Sequence, residues 1–130
     1  MNAMADKVRV GVIGVGYLGR FHALIYSRLA DVALVGVVDT DPQRAREVAA
    51  EAGCPVFADA GALAAEVDAL SVVVPTTAHL AVAAPLLRRG VHMLIEKPIA
   101  ATVEEGSEIV SLAEASGARW QVGHVERFIA

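Results

Sequence analysis

At 130 residues the chain is long enough for one domain with a real core and short for a two-domain enzyme. It is 55% hydrophobic and 20% charged, yet no apolar run approaches the roughly 20 residues that a membrane-spanning helix needs, so no membrane partner is expected. The net charge of −4 comes with scattered basic side chains, which excludes the clustered Lys/Arg footprint of a nucleic-acid binder, and the single cysteine, Cys54, excludes an internal disulfide and a multi-cysteine zinc site.

The predicted elements alternate short β-branched runs with longer alanine-rich helical ones. Residues 1–6 read as a disordered leader. The first strand, 8–13, runs into Gly11, Gly14, Gly16 and Gly19 with no small-residue cleavage site nearby, which argues against a signal peptide. A helix over 17–29 and a strand over 33–38 follow. Asp41 then caps a helix over 42–52 that has Pro42 at its first position and Gly53 just beyond its end. A strand is expected over 55–57, a helix over 60–65 and a strand over 70–74. Pro85 lies inside the next helix, 78–89, so that helix should be kinked or should start late. Gly90 precedes a strand over 91–95. The stretch from Thr102 to Glu105 forms a capping box for a helix over 103–116, and Gly117 separates it from a last strand over 120–122. This alternation predicts an α/β fold of the Rossmann kind: a doubly wound parallel sheet of about six strands with helices on both faces, in one domain over 1–130.

The glycine turn "VRVGVIGVGYLGRFH" places Gly14-x-Gly16-x-x-Gly19 directly after the first strand and at the start of a helix. Gly14 permits the tight turn, Gly16 lets a pyrophosphate approach the backbone, and Gly19 allows close helix–strand packing. Tyr17 and Leu18 lie within the same turn, where the helix N-terminus offers unpaired N–H groups to phosphates. Asp39, about twenty positions after Gly19 at the end of the second strand, can accept hydrogen bonds from the adenosine ribose hydroxyls and repel a 2′-phosphate. With Thr40 beside it, this carboxylate favours NAD over NADP. A strand-end turn residue is the competing account of Asp39, but Asp41 is the better cap. A methyltransferase-type fold also uses a glycine turn and an acid after its second strand.

Ligands of a doubly wound sheet sit beyond the carboxyl ends of its strands, and three loops there carry polar residues. They are Pro75-Thr76-x-x-His79, Glu96-Lys97-Pro98 and Gly123-His124-Val125-Glu126-Arg127-Phe128. Together they resemble the glucose–fructose oxidoreductase/inositol dehydrogenase family (Gfo/Idh/MocA), with a likeness running from about Val8 to Phe128. The resemblance implies a nucleotide-binding N-terminal domain, followed in typical members by a C-terminal α/β domain that binds the sugar or cyclitol and makes the dimer interface. It implies that Lys97 lies near the nicotinamide and the reacting hydroxyl, with Glu96 and Pro98 shaping the loop. Pro75, Thr76 and His79 would line the cofactor, and Arg127 would belong to the final loop. The wording "GHVERF" is similar to members that act on nucleotide-linked amino sugars.

On that reading Lys97 is the catalytic candidate: its ammonium donates to the substrate oxygen and stabilises charge as hydride leaves the carbon. A surface salt bridge ending a strand is the plainer account of Glu96 and Lys97. His79 is balanced between capping a loop and contacting the cofactor; His22 and His92 read as structural, and His124 as a residue of the last loop. Cys54 reads as inert, in a reducing cytoplasm.

Typical members continue past Arg127-Phe128 into the second domain, whose catalytic Asp and His have no counterpart here. Two readings stay open. One is the NAD-binding half of an oxidoreductase that moves a hydride between a sugar or cyclitol hydroxyl and nicotinamide, with substrate held only when a second domain is present. The other is a free-standing nucleotide-binding or redox-sensing module. An apolar patch near the last strand makes a homo-oligomer an expectation.

Overall fold

The computed structural model describes residues 7–96 and 102–123. Along them run β1 (Val8–Ile13), α1 (Tyr17–Arg28), β2 (Val32–Val38), α2 (Pro42–Ala52), α3 (Ala60–Ala64), β3 (Ala69–Val72), α4 (His79–Arg88), β4 (His92–Glu96), α5 (Val103–Ser116) and β5 (Trp120–Gly123). The strands form one sheet in the order β2-β1-β3-β4-β5, with every neighbouring pair parallel. β1 lies inside the sheet, between β2 and β3, which is why Val12 and Ile13 are both buried although they point to opposite faces.

Two cores follow from that alternation. On one face Ile13, Leu70, Val72, Met93 and Ile95 meet Leu63 of α3, Leu86 and Leu87 of α4, and Ile109 of α5. On the other, Val12 and Val37 meet Ala23 of α1 and Val48 and Ala49 of α2. Alanines at these contacts let the helices lie close to the sheet. Local chemistry fixes where the helices begin and end. Asp41 accepts from the N–H groups of Gln43 and Arg44 at 3.0 and 3.2 Å, and Thr102 Oγ1 accepts from Glu105 N–H at 3.1 Å. Gly53 and Gly117 close α2 and α5 in the left-handed conformation.

Three expectations need correction. The sheet has five strands, not six. Residues 55–57 pair with β2 only at Val37, which donates to Pro55 O at 3.2 Å and accepts from Phe57 N–H at 2.9 Å. Pro55 has no N–H to extend that ladder, and Asp59 already caps α3 two residues beyond Phe57. β3 ends at Val72 rather than at residue 74. Val73 N–H still reaches Ile13 O at 2.8 Å, but the chain must then pass the turn at Gly14. Finally, of the kink or late start expected from Pro85, the late start is not what the helix does. A 3₁₀ turn (Thr76–Ala78) leads directly into it, and the helix runs through Pro85 in its second turn.

Candidate dinucleotide site

Because all strands are parallel, their carboxyl ends share one edge of the sheet. The strand order reverses direction between β1 and β3, and there a cleft of about 970 Å³ opens. That volume lies within the range of small-molecule sites, about 300–1,000 Å³. Its walls are the glycine turn, the end of β2, the segment around Ala58 to Gly61, the loop after β3, and one side of α4.

The three glycines of the turn have different physical reasons. Gly14 sits at φ +88°, its N–H donates to Val38 O at 2.8 Å, and a Cβ there would lie 2.4 Å from Val73 O. It is pressed between the ends of β2 and β3. At Gly19 a Cβ would lie 1.8 Å from Gly14 O, so α1 can rest on the turn only without a side chain. Gly16 differs. Its φ of −69° suits any residue, and the nearest atom to a Cβ would be Arg44 Nη1 at 3.8 Å. Nothing among the described residues needs that space empty, whereas a phosphate approaching the backbone does. Gly16 is also the N-cap of α1 and supplies no side-chain acceptor to the first N–H groups of the helix.

Asp39 is locked beside this turn. Its Oδ2 accepts from Val15 N–H and its Oδ1 from Asp41 N–H, both at 2.8 Å, and the side chain is 7% exposed. Each carboxylate oxygen retains acceptor capacity for a hydroxyl. Arg44, which the sequence reading did not single out, stands over the pair. Its Nη1 is 3.9 Å from Asp39 Oδ2, and its Nη2 is 4.0 Å from Asp41 Oδ2. The signal available in the sequence was its place in the first turn of a helix capped at Asp41, which turns it back toward the end of β2.

The structure gathers Gly14, Gly16, Tyr17, Leu18, Gly19, Asp39, Thr40, Pro75, Thr76 and His79 around this one cleft. His79 is 1% exposed, and its Nε2 lies 2.9 Å from Val74 O; a carbonyl only accepts, so Nε2 carries the proton and ties the loop after β3 to the start of α4. Glu96 ends β4 opposite Gly123 of β5, at the same edge. Lys97, Pro98 and Arg127, with His124, lie outside the described residues. His22 and His92 are elsewhere: His22 Nδ1 lies 3.1 Å from Ser71 Oγ beneath α1, and His92 Nδ1 accepts from Arg119 N–H at 3.0 Å. Cys54 is half-buried, and burial pushes its thiol pKa up, away from reactivity. Among the described residues no three His, Cys, Asp or Glu side chains are grouped as a metal site would require, and no helix is long and apolar enough to cross a membrane.

A parallel sheet in this order, with a glycine turn at its point of reversal and helices on both faces, defines a Rossmann-type nucleotide-binding domain. Residues 8–124 match the GFO_IDH_MocA oxidoreductase family, NAD-binding Rossmann fold, and the chain belongs to that family. Among its relatives, UDP-N-acetylglucosamine 3-dehydrogenase from Acidithiobacillus ferrooxidans is 47% identical over 120 residues, covering 92% of this chain and 38% of that protein. A solved structure of that enzyme superposes with a TM-score of 0.87, covering 93% of this chain and 39% of that one. Inositol 2-dehydrogenase 1 from Saccharopolyspora erythraea is 39% identical over 127 residues, covering 93% of this chain and 38% of that protein. GenD2 from gentamicin A biosynthesis, in complex with NAD, is 26% identical with a TM-score of 0.86, covering 94% of this chain and 36% of that one. The chain thus spans well under half the length of these relatives.

Proposed function

We propose that this chain is the cofactor-binding part of a cytoplasmic, NAD-dependent dehydrogenase that moves a hydride between a sugar or cyclitol hydroxyl and nicotinamide, with a nucleotide-linked amino sugar as the favoured substrate. The observation that carries the cofactor reading is the contrast at the turn: Gly14 and Gly19 are required by the protein's own packing, while Gly16 keeps open a space that no described residue fills. Gly14, Gly16, Tyr17, Leu18 and Gly19 would hold the pyrophosphate. Asp39 and Thr40 would hold the adenosine ribose, and Pro75, Thr76 and His79 would line the far wall. The fixed carboxylate of Asp39 supports NAD over NADP, because a 2′-phosphate would stand against a nearly buried negative charge. When bound, the nicotinamide supplies the hydride acceptor. Lys97 would hold the proton at the substrate oxygen, with Glu96, Pro98 and Arg127 around it. The half-buried Cys54 suits a reducing compartment.

The substrate class rests on the likeness to a UDP-N-acetylglucosamine dehydrogenase and to an inositol dehydrogenase. That a further domain completes the site is supported by the surface of α1. Tyr17, Phe21, Ile25 and Leu29 follow one another at a spacing of four and are all exposed. Calorimetric titration with NADH and NADPH is the first test, and saturable binding that favours NADH is expected. Binding of neither would sink the cofactor reading. With a second domain present, turnover of UDP-N-acetylglucosamine should exceed that of myo-inositol, and Lys97→Ala should collapse turnover while cofactor affinity stays within about threefold.

A further inference from the structure

Tyr17 stands at the mouth of the cleft, where its backbone belongs to the glycine turn and its ring does not. That ring is 79% exposed. Phe21, one turn further along the same side of α1, meets it edge to face, with ring centroids 5.1 Å apart at 89°. Arg20 backs the pair, its guanidinium carbon 5.9 Å from the centre of the Phe21 ring. The guanidinium is itself fastened to Glu51 of α2, with Nε donating to Oε1 at 2.8 Å. A carboxylate on a second helix thus anchors a cation, the cation backs one ring, and that ring steadies another. The series ends in open aromatic surface beside the cleft.

A single exposed apolar residue needs no explanation, but a braced pair of rings at a cleft mouth does. Ile25 and Leu29 continue the exposed stripe as aliphatic groups, which any apolar surface can cover. The two residues at the cleft end of the stripe are the aromatic ones. A ring already held in place loses little freedom when a planar group stacks on it. In the reading above the substrate is a nucleotide-linked amino sugar, whose base is such a group. We propose that Tyr17, steadied by Phe21, is a specificity-determining residue that stacks on the base of a nucleotide-linked sugar. The cofactor-binding part of the enzyme then reads the nucleotide end of its substrate, while a further domain holds the sugar. This inference rests on that substrate reading and deepens it. Nicotinamide is the other planar ring on offer, and the test separates the two.

The test is saturation-transfer NMR and titration of the purified chain with NADH, UDP-N-acetylglucosamine and N-acetylglucosamine 1-phosphate. Melting curves show that each variant is folded. In UDP-N-acetylglucosamine bound beside NADH, the uracil protons should receive the strongest transfer. Tyr17→Ala should lose about tenfold in affinity for that nucleotide sugar, the loss expected for one base on one aromatic side chain. Phe21→Leu should lose a smaller part of it, and Tyr17→Phe, which keeps the ring, almost nothing. The loss of NADH affinity in Tyr17→Ala should be the smaller of its two losses. Weak transfer to the uracil protons would overturn the proposal, as would a loss in Tyr17→Phe equal to that in Tyr17→Ala. An NADH loss as large as the loss for the nucleotide sugar would assign the ring to nicotinamide and overturn it too. N-acetylglucosamine 1-phosphate binding as tightly as UDP-N-acetylglucosamine would overturn it while leaving the amino-sugar reading intact. NADH binding without any binding of UDP-N-acetylglucosamine would overturn it and leave only the dinucleotide reading. Binding of neither would overturn both.

Discussion

Asp39 Oδ2 accepts the N–H of Val15 at 2.8 Å, so the carboxylate that ends β2 also holds the glycine turn that follows β1. The acid at the end of β2 and the glycine turn after β1 are thereby tied together, with the second oxygen fixed on Asp41 N–H. Asp39→Asn offers one amide oxygen in place of two carboxylate oxygens, leaving a largely buried N–H without its acceptor. We expect a stability loss of about 1–3 kcal/mol from that unmet donor. NADH affinity should fall by tenfold or more, because the turn loosens and the charge is lost. Chemical denaturation and calorimetry on the same variant measure the two effects. Unchanged stability would mean that the bond to Val15 does not hold the turn.

Gly16 and Gly19 should respond oppositely to the same substitution. Alanine at 19 puts a methyl group 1.8 Å from Gly14 O, a backbone atom that cannot give way without moving the turn, so Gly19→Ala should lower stability by about 2 kcal/mol or more. Alanine at 16 meets nothing nearer than the mobile end of Arg44 at 3.8 Å, so the folded chain should accept it within about 0.5 kcal/mol. Dinucleotide binding should nevertheless fall at least tenfold in Gly16→Ala. A pair of melting curves and a pair of titrations decide it; normal binding by Gly16→Ala would remove the glycine turn from the cofactor site.

Helix boundaries were legible in the sequence where they depend on local chemistry. Asp41 with Pro42, Thr102 with Glu105, and the glycines at 53 and 117 act within one turn of the chain, and the structure puts the helix ends at those residues. Features set by distant neighbours were harder to read. Residues 55–57 carry a strand-like composition, but how far they pair depends on what β2 offers at its edge. The end of β3 depends on the passage of Gly14, and the burial of His79 depends on the carbonyl of Val74 reaching back to it. Arg44 was missed for the same reason. Its interest comes from Asp39 in another element, and its place in the first turn after the Asp41 cap was the one sign of it in the sequence.

Ser71 forms a third polar feature, beneath α1 and away from the cleft. Its hydroxyl, 1% exposed, lies 2.5 Å from Tyr26 OH and 3.1 Å from His22 Nδ1, so one small side chain of β3 binds two residues of α1. Because a buried hydroxyl without a partner costs more than the bond itself contributes, Ser71→Ala should destabilise by about 1–3 kcal/mol. Tyr26→Phe should cost less, and the double variant should cost less than the sum, since both remove one shared interaction. Urea midpoints for the three variants provide the cycle. Strict additivity would show that the Tyr26–Ser71 bond contributes nothing as a pair.

At the opposite edge of the sheet Asp68 joins the starts of β1 and β3. Its Oδ2 accepts from Arg9 N–H at 2.9 Å, and its Oδ1 pairs with Arg9 Nη2 at 3.1 Å. The side-chain bond from Arg9, then the backbone bond, hold the Asp68 carboxyl below its usual range. A carboxyl whose folded pKa is depressed contributes stability above its unfolded value of about 3.9, and that contribution disappears as pH falls through the folded value. Asp68→Asn can keep one acceptor for Arg9 N–H but removes the charge and the second oxygen, which accepts from Arg9 Nη2. Its melting temperature should lie below that of the parent at pH 7, by no more than about 5 °C because both side chains are partly exposed and screened. The gap should narrow below about pH 4 and in high salt. A gap that stayed constant from pH 7 down to pH 3 would mean that the charge contributes nothing and that the acceptor alone joins the two strands.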